Sequence, residues 1–249
     1  TEFAAKKPIA RATLYASALG LYDAHLNGAR VGDAYFQPGW ADYRQRAHYR
    51  AHDVTSQIQP GANALGFVLA DGWYAGYVGY GLLVGNGPHR TGRCIYGEIP
   101  AIRCRLEIEY VDGSRDAVVT DASWQVTDQG PIREADLLMG ETYDARLEMP
   151  GWDTAAYTPD DRWQPCILAA DNVPESAPFF EPGVEREVSV GFVAPQTVDS
   201  YAAQPVRVTQ ELPARAVTEP HPGVFVFDMG QNFAGVVRSE EHTSELQSP

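Results

Sequence analysis

The chain has 249 residues, 44% of them hydrophobic, and it is rich in turn formers, with 23 glycines and 18 prolines. This profile is typical of a folded protein with one large domain, or one domain and part of another, rather than a disordered chain. The formal net charge of −14 argues against partners with anionic surfaces, so we expect neither nucleic acid nor a membrane as a partner.

The first thirty residues predict strands and a tight turn. After a polar lead-in at residues 1–10, the segment 11–19 has the small and apolar residues of a strand. Apolar and polar side chains then alternate from 21 to 26, which is typical of a strand with one buried face. Asn27-Gly28 supplies the two positive-φ positions of a type I′ turn, and Val31 begins the return strand. The pattern therefore predicts a β-hairpin.

Short strands continue along the chain with turn signals between them. They are predicted at 45–54, 65–70, 102–119, 124–127 and 166–168. The segment 102–119 is a second hairpin that turns at Asp112-Gly113, with charged side chains on one face and apolar side chains on the other. Residues 71–87 are rich in glycine and aromatic residues and predict a loop. No segment predicts a helix longer than a turn or two, so the class is all-β, most simply a β-sandwich.

Composition changes suggest how the chain is divided. We expect a β-sandwich domain at 11–175, a proline- and acid-containing linker at 176–203, and the first strands of a second β-sandwich at 204–237. The last twelve residues, 238–249, have no apolar period. Their sequence RSEEHTSELQSP resembles the translation of a sequencing adaptor, so we interpret them as a non-native tail rather than a natural disordered end.

Cysteine and histidine do not form a metal-binding pattern. The three cysteines, Cys94, Cys104 and Cys166, include no CxxC pair, which favours reduced thiols over a disulfide framework or a zinc site. His48 and His52 are four residues apart, as zinc ligands on a helix would be. Their segment predicts a strand, however, so polar strand residues are the better interpretation.

Catalytic signatures are also missing. The sequence contains no G-x-S-x-G nucleophile motif and no glycine pattern for a dinucleotide or phosphate. Asp136, Glu141 and Asp144 lie near one another in the sequence and are candidates for the carboxylate pair that glycoside hydrolysis requires. Solvated loop carboxylates are far commoner than catalytic ones, and nothing in the sequence selects a pair.

The aromatic loops offer a better candidate for a binding site. Aromatic and acidic side chains follow the ends of predicted strands, and a sugar ring can stack on the former and hydrogen-bond to the latter. The candidate sugar-binding residues are Trp40, Asp42, Asp71, Trp73 and Tyr74. The alternative is that these aromatic rings close the ends of the sandwich or face a neighbouring domain.

Several motifs in order resemble one enzyme family. LNGARVGD and FQPGWADYRQRAHYRAHDVTSQIQPGANALGFVLADGWYAG are similar to the N-terminal accessory domain of bacterial α-L-rhamnosidases, glycoside hydrolase family 78. The resemblance continues through YGEIPAIRCRLEIEYVDGS and GPIREADLLMGETYDARLEMPGWD. It ends at VFDMGQNFAGVVR, which is similar to the start of the concanavalin-like domain that follows in that family. The resemblance covers roughly residues 11–238.

The resemblance implies a jelly-roll-like, galactose-binding-like sandwich in a multi-domain inverting enzyme that removes terminal α-L-rhamnose. The family's catalytic carboxylates belong to an (α/α)6 domain downstream, so no catalytic residue is assigned here and the chain alone should be inactive. The implied partners are rhamnose-containing glycosides or polysaccharides and the downstream domains of the same polypeptide. Some related sandwiches use calcium, but no run of Asp or Asn ligands is present in the sequence, so we expect no cofactor, with calcium as the alternative.

Two other functions remain open at this point. The chain could be a free-standing rhamnose-binding or other carbohydrate-binding module, or a structural spacer whose aromatic residues pack against other domains. The motif VFDMGQNFAGVVR favours the enzyme domain, because it indicates a continuing chain. The sequence starts at Thr1 without an initiator Met or a signal-like segment, so it predicts no location in the cell.

Overall fold

The computed structural model describes residues 1–79, 81–88, 90–169, 175–181, 184–190 and 195–236. The chain divides after Val206 into two compact units. The first unit contains the strands β1 Glu2–Ala5, β2 Ile9–Leu19, β3 Leu21–Leu26, β4 Ala29–Arg30, β5 Arg46–Asp53, β6 Gly61–Ala70, β7 Gly87–Pro88, β8 Ala101–Tyr110, β9 Arg115–Val119, β10 Gln125–Val126, β11 Ile132–Asp136, β12 Gly140–Tyr143, β13 Gln164–Pro165, β14 Glu175–Glu181, β15 Val184–Val190 and β16 Thr197–Ser200. The second contains β17 Ala216–His221 and β18 Val224–Asp228.

Two sheets form the body of the first unit. One has five strands in the order β16-β5-β2-β8-β9, and the other has four in the order β1-β6-β3-β4. The long strand β2 is central to the larger sheet, because it pairs antiparallel with β5 on one side and with β8 on the other. Strand β16 pairs with β5 in the parallel direction. Smaller sheets join β10 with β13, β11 with β12, and β15 with β14 and β7.

The hydrophobic core lies between these two sheets. Leu14 of β2 and Leu106 of β8 are fully buried, and they belong to one cluster with Tyr22, Leu26 and Leu65 of the smaller sheet. Along β8 the apolar residues are buried while the alternating charged residues are mostly exposed, as the sequence pattern predicts. The all-β class and the sandwich predicted from the sequence are therefore confirmed.

The first hairpin turns where the sequence predicts it. Asn27 and Gly28 both have positive φ, at 54° and 81°, as a type I′ turn requires. The side chain of Asn27 also bonds to the neighbouring strand β6 of the same sheet: its Nδ2 donates to Asn63 Oδ1 at 2.7 Å, and its Oδ1 accepts from the Ala64 amide at 2.9 Å. Asn63 is itself fully buried. The turn is thus held by a buried amide pair as well as by its own backbone.

Two segments that the sequence describes as irregular contain strands. The predicted lead-in includes β1, which pairs with β6 and places Ala5 in the core. Phe3 and Ala5 repeat with a period of two, but the stretch is too short for that alternation to stand out. The predicted linker at 176–203 contains most of the β14–β15 hairpin and all of β16, so it is not an irregular connection. The predicted domain bounds themselves stay predictions.

The predicted loop at 71–87 contains short helices. The helix α1 covers Gly72–Ala75 and α2 covers Gly81–Val84, each a single turn. Within the described residues, helices of this length are far too short to cross a membrane. The predicted non-native tail at 238–249 lies outside the described residues.

A half-buried histidine connects β5 to the core residue Tyr22. His52 Nε2 lies 3.2 Å from the hydroxyl of Tyr22. Burial lowers the pKa of His52 below its ordinary value, and the charges of Arg50 and Arg30 lower it further. The fold therefore favours the neutral form of the imidazole over the charged form.

This histidine should make stability depend on pH. Because its pKa is lower in the folded state than in the unfolded state, its contribution is present above about pH 6.5 and is lost as the pH falls. We expect the free energy of unfolding to fall more steeply from about pH 7 to about pH 5 in the native chain than in His52→Gln. Urea unfolding at several pH values measures this slope. His221→Gln is the control, because His221 is exposed, and its slope should match that of the native chain. Equal slopes for all three proteins would refute the assignment.

Candidate functional site

The loop between β4 and β5 presents an exposed tryptophan and a carboxylate. The side chain of Trp40 is 55% exposed. The carboxylate of Asp42 accepts hydrogen bonds from the Arg44 amide at 3.2 Å and from Gln45 Nε2 at 2.8 Å. These bonds fix the carboxylate beside the indole at the surface while leaving it open to solvent.

Two residues that the sequence did not single out complete this surface. Trp40 lies close enough to the Tyr96 hydroxyl to oppose part of the rise in the Tyr96 pKa that burial causes. The guanidinium of Arg44 lies 5.3 Å from the centre of the Tyr96 ring and donates to the Ile95 carbonyl at 2.7 Å. We call Trp40, Asp42, Arg44 and Tyr96 the Trp40 surface. Partial burial raises the pKa of Tyr96, and the charge of Asp42 adds to the effect.

A buried cluster of tyrosines supports the Trp40 surface from below. The Tyr43 ring contacts the rings of Tyr74 and Tyr96 edge to face, with centroids 5.4 Å and 5.3 Å apart. Burial strongly raises the pKa of Tyr43. These rings join Leu19 and Ala47 of the larger sheet in a second apolar cluster. The supporting layer is therefore part of the folded core.

Two of the candidate sugar-binding residues belong to this supporting layer. Tyr74 has no exposed surface, so a sugar cannot stack on its ring in this structure. A Cβ atom at Gly97 would lie 2.0 Å from the Tyr74 hydroxyl, which shows how closely the chain covers it. Trp73 is only partly exposed and packs against the same cluster. Tyr74 therefore lies in the buried layer and not on the exposed surface.

The remaining candidate, Asp71, lies in a different group of residues. It pairs with Arg93, whose guanidinium lies 5.4 Å from the centre of the Tyr77 ring. Burial raises the pKa of Asp71; the nearby Asp136 raises it further, and Arg93 opposes the change. Asp71, Tyr77, Arg93 and Asp136 line an open cleft that none of the other four candidates lines. The structure therefore separates Asp71 from the Trp40 surface.

The three acidic residues considered for glycoside hydrolysis have separate structural surroundings. Asp136 accepts hydrogen bonds from three backbone amides, which occupies both of its oxygens. Asp144 caps a short 3₁₀ turn and pairs with Arg146, and these bonds lower its pKa. Glu141 is exposed on β12. Asp144 therefore serves the local backbone, and Asp136 joins its own turn to the loop at Tyr77.

The described residues contain no group of three or more His, Cys, Asp or Glu side chains placed to hold a metal ion. His48 is half-buried with its ring 5.2 Å from that of Tyr201, and its Nδ1 has no hydrogen-bond partner among the described residues. All three cysteines are free thiols. Burial raises the pKa of Cys104 to about 12, so it is an unreactive core thiol.

Comparison with known proteins identifies the domain. A family model described as the alpha-L-rhamnosidase N-terminal domain matches residues 7–210. An α-L-rhamnosidase of Streptomyces avermitilis is 47% identical over 232 residues, which are 93% of this chain and 19% of that protein. An α-L-rhamnosidase of Alteromonas is 31% identical over 238 residues, 95% of this chain and 22% of that protein.

Solved structures agree with the sequence matches. The crystal structure of the Streptomyces avermitilis enzyme complexed with L-rhamnose superposes with a TM-score of 0.73 at 44% identity, over 93% of this chain and 19% of that one. The α-L-rhamnosidase structure from Dictyoglomus thermophilum gives a TM-score of 0.70 at 32% identity, over 94% of this chain and 22% of that one. The chain thus spans about a fifth of the length of the relatives it matches. It belongs to the α-L-rhamnosidase N-terminal domain family.

Proposed function

We propose that this chain is the non-catalytic N-terminal part of an α-L-rhamnosidase, an inverting glycoside hydrolase that releases terminal α-L-rhamnose. The observation that carries the proposal is the family match over residues 7–210, together with α-L-rhamnosidase relatives about five times longer. The positions of Asp136 and Asp144 support it, because both are engaged in backbone and ion-pair contacts rather than facing a substrate. Catalysis would then belong to regions outside this chain.

The proposed activity of the whole protein can be tested by replacing a domain of a related enzyme with this chain. The aligned 232-residue region of the Streptomyces avermitilis enzyme would be replaced by this chain, and hydrolysis of a chromogenic α-L-rhamnoside would be measured. The chimera should hydrolyse the substrate with inversion at the anomeric carbon, and the chain alone should not. Hydrolysis by the chain alone would place catalysis within it and overturn the proposal.

We further propose that the domain contributes to substrate recognition through the Trp40 surface. This surface combines an exposed indole, an open carboxylate and a guanidinium, which are groups that stack on and hydrogen-bond to a sugar. Its support by buried tyrosines means that the indole is already positioned before a ligand arrives. The expected ligand is a terminal rhamnose of a glycoside or polysaccharide. Asp71 and Trp73 remain weaker candidates for the same role.

Calorimetric titration of the chain with L-rhamnose tests this recognition. Replacing Trp40 by alanine should weaken binding by about 1–3 kcal/mol, because the exposed stacking face is lost. Trp73→Ala is the matched control and should change affinity less, since Trp73 packs mainly against the core cluster. If no heat of binding is measured at millimolar L-rhamnose, the chain does not bind the sugar. The remaining function would then be the structural one, a spacer that packs against other domains.

The same titration shows whether sugar binding requires a metal ion such as calcium. We propose that binding needs no metal, because the Trp40 surface offers a single carboxylate, whereas Ca²⁺ takes roughly six to eight oxygen ligands. Equal affinity in calcium and in a chelator is the expected result. Binding that requires calcium would point instead to a site that uses ligands outside the described part of the chain.

A further inference from the structure

The hairpin of β11 and β12 has an apolar loop. Asp136 pairs with Gly140, and the three residues between them are Leu137, Leu138 and Met139. Leu138 is 53% exposed and Met139 is 60% exposed. Hairpin loops normally carry polar residues or glycine, because the chain there faces water. Only Gly140, with a φ of 87°, follows this rule here. We call residues 136–140 the hairpin apex.

The apex is held firmly in spite of its exposure. Oδ1 of Asp136 accepts hydrogen bonds from the amides of Leu138 and Met139, at 2.8 Å and 3.1 Å. Oδ2 of the same carboxylate accepts from the amide of Tyr77 at 3.0 Å, which ties the apex to a loop 59 residues earlier. A Cβ atom at Gly76 would lie 2.5 Å from that oxygen, so the close approach requires glycine. The apolar loop is therefore fixed in one conformation before any partner binds.

A fixed, exposed apolar loop is suited to contact with an apolar surface, and Met139 faces the open cleft that Asp71 and Arg93 also line. The strands below it add further exposed apolar area at Ile132 and Tyr143. Pre-organisation reduces the conformational entropy that docking would otherwise cost. A sugar is a poor occupant, because the Leu138 and Met139 side chains offer no strong hydrogen-bond donor or acceptor for its hydroxyl groups. A second copy is disfavoured by repulsion between chains of net charge −14.

We propose that the hairpin apex docks into an apolar surface of the downstream region of the same α-L-rhamnosidase polypeptide. The relatives supply the reason for this occupant, since about four-fifths of their length lies outside the region that this chain covers. The inference rests on the proposed function, because only a multi-domain enzyme provides such a region. The apex is an inter-domain contact.

Oxidation of Met139 measures whether the apex is covered. The chain and the Streptomyces avermitilis chimera described above would be exposed to dilute hydrogen peroxide, and the Met139 sulfoxide would be followed by peptide mass spectrometry. Met139 should oxidise at least ~tenfold more slowly in the chimera, because a docked thioether is shielded from the oxidant. Equal rates would overturn the docking, whether or not the chimera hydrolyses rhamnoside. Slow oxidation in an inactive chimera would instead support docking while contradicting the proposed function.

A matched pair of variants shows whether the apex itself makes the contact. Leu138→Ser in the chimera should raise the Met139 oxidation rate towards that of the isolated chain. Ile167→Ser is the control, since Ile167 is 82% exposed and lies outside the apex, and it should leave Met139 protected. Equal protection in both variants would overturn the proposal. It would also be overturned if Met139 of the isolated chain were shielded by self-association or by millimolar L-rhamnose.

Discussion

Replacing Tyr74 by alanine should lower the free energy of unfolding by about 3–5 kcal/mol, the range measured for large aromatic residues truncated in a core. Tyr74 has no exposed surface, and its ring packs edge to face against Tyr43. The backbone at Gly97 covers the hydroxyl end, so neighbouring side chains cannot easily fill the space left behind. Urea unfolding followed by tryptophan fluorescence gives the value.

Trp40→Ala is the control for this prediction. Trp40 is exposed over more than half of its surface, and its loss should cost about 1 kcal/mol or less, as surface substitutions usually do. The two variants should therefore show opposite profiles: Tyr74→Ala loses stability, whereas Trp40→Ala retains stability and loses sugar binding. Similar losses of stability in both would contradict the division of the aromatic loops into a buried layer and a presenting surface.

Replacing Asn63 by aspartate should destabilise the sandwich by about 3 kcal/mol or more, although the two side chains have the same shape. The Asn63 amide donates to the carbonyls of Gln59 and Gly61, at 2.8 Å and 2.9 Å. A carboxylate cannot donate either bond, so two carbonyl oxygens lose a partner and face a buried negative charge. The oxygen that accepts from Gln59 and Asn27 is retained. The change therefore isolates the donating half of the network.

The pH dependence of this variant provides a second measurement. The new carboxylate is favoured in its protonated form by the fold, so the loss of stability should be largest near neutral pH and should shrink in acid. Gln125→Glu is the matched control, because it makes the same amide-to-acid change at an exposed strand position. A loss below about 1 kcal/mol in Asn63→Asp would mean that the bonds which Asn63 donates to Gln59 and Gly61 do not support the sandwich.

Local patterns predicted the parts of the fold that depend on neighbouring residues. Asn27-Gly28 specifies its turn by backbone conformation alone, and the alternation along β8 specifies which face is buried. Pairings between distant strands could not be predicted from the sequence. Strand β1 exists because it pairs with β6, where Phe3 lies opposite Asn63. The residues around Phe3 give no sign of a partner so far along the chain.

For the same reason, the sequence predicted the exposure of some candidate sugar-binding residues and not the burial of others. Trp40 and Asp42 form an exposed pair as expected, because both lie on one loop. Tyr74 follows an Asp-Gly-Trp sequence that looks equally open, yet its burial is set by Tyr43 and by the chain near Gly97. An acidic residue in a turn such as Asp136 gives no local sign that it binds an amide 59 residues away.

The parallel pairing of β16 with β5 has a consequence for biosynthesis. Strand β5 ends at Asp53, but the strand that covers its outer edge begins only at Thr197, 144 positions later in the chain. At about 5–20 residues per second, a ribosome needs roughly 7–30 s to supply it. During that interval the nascent sheet carries an open edge able to pair with other chains. The emerging domain is therefore expected to depend on chaperones until translation has passed Ser200.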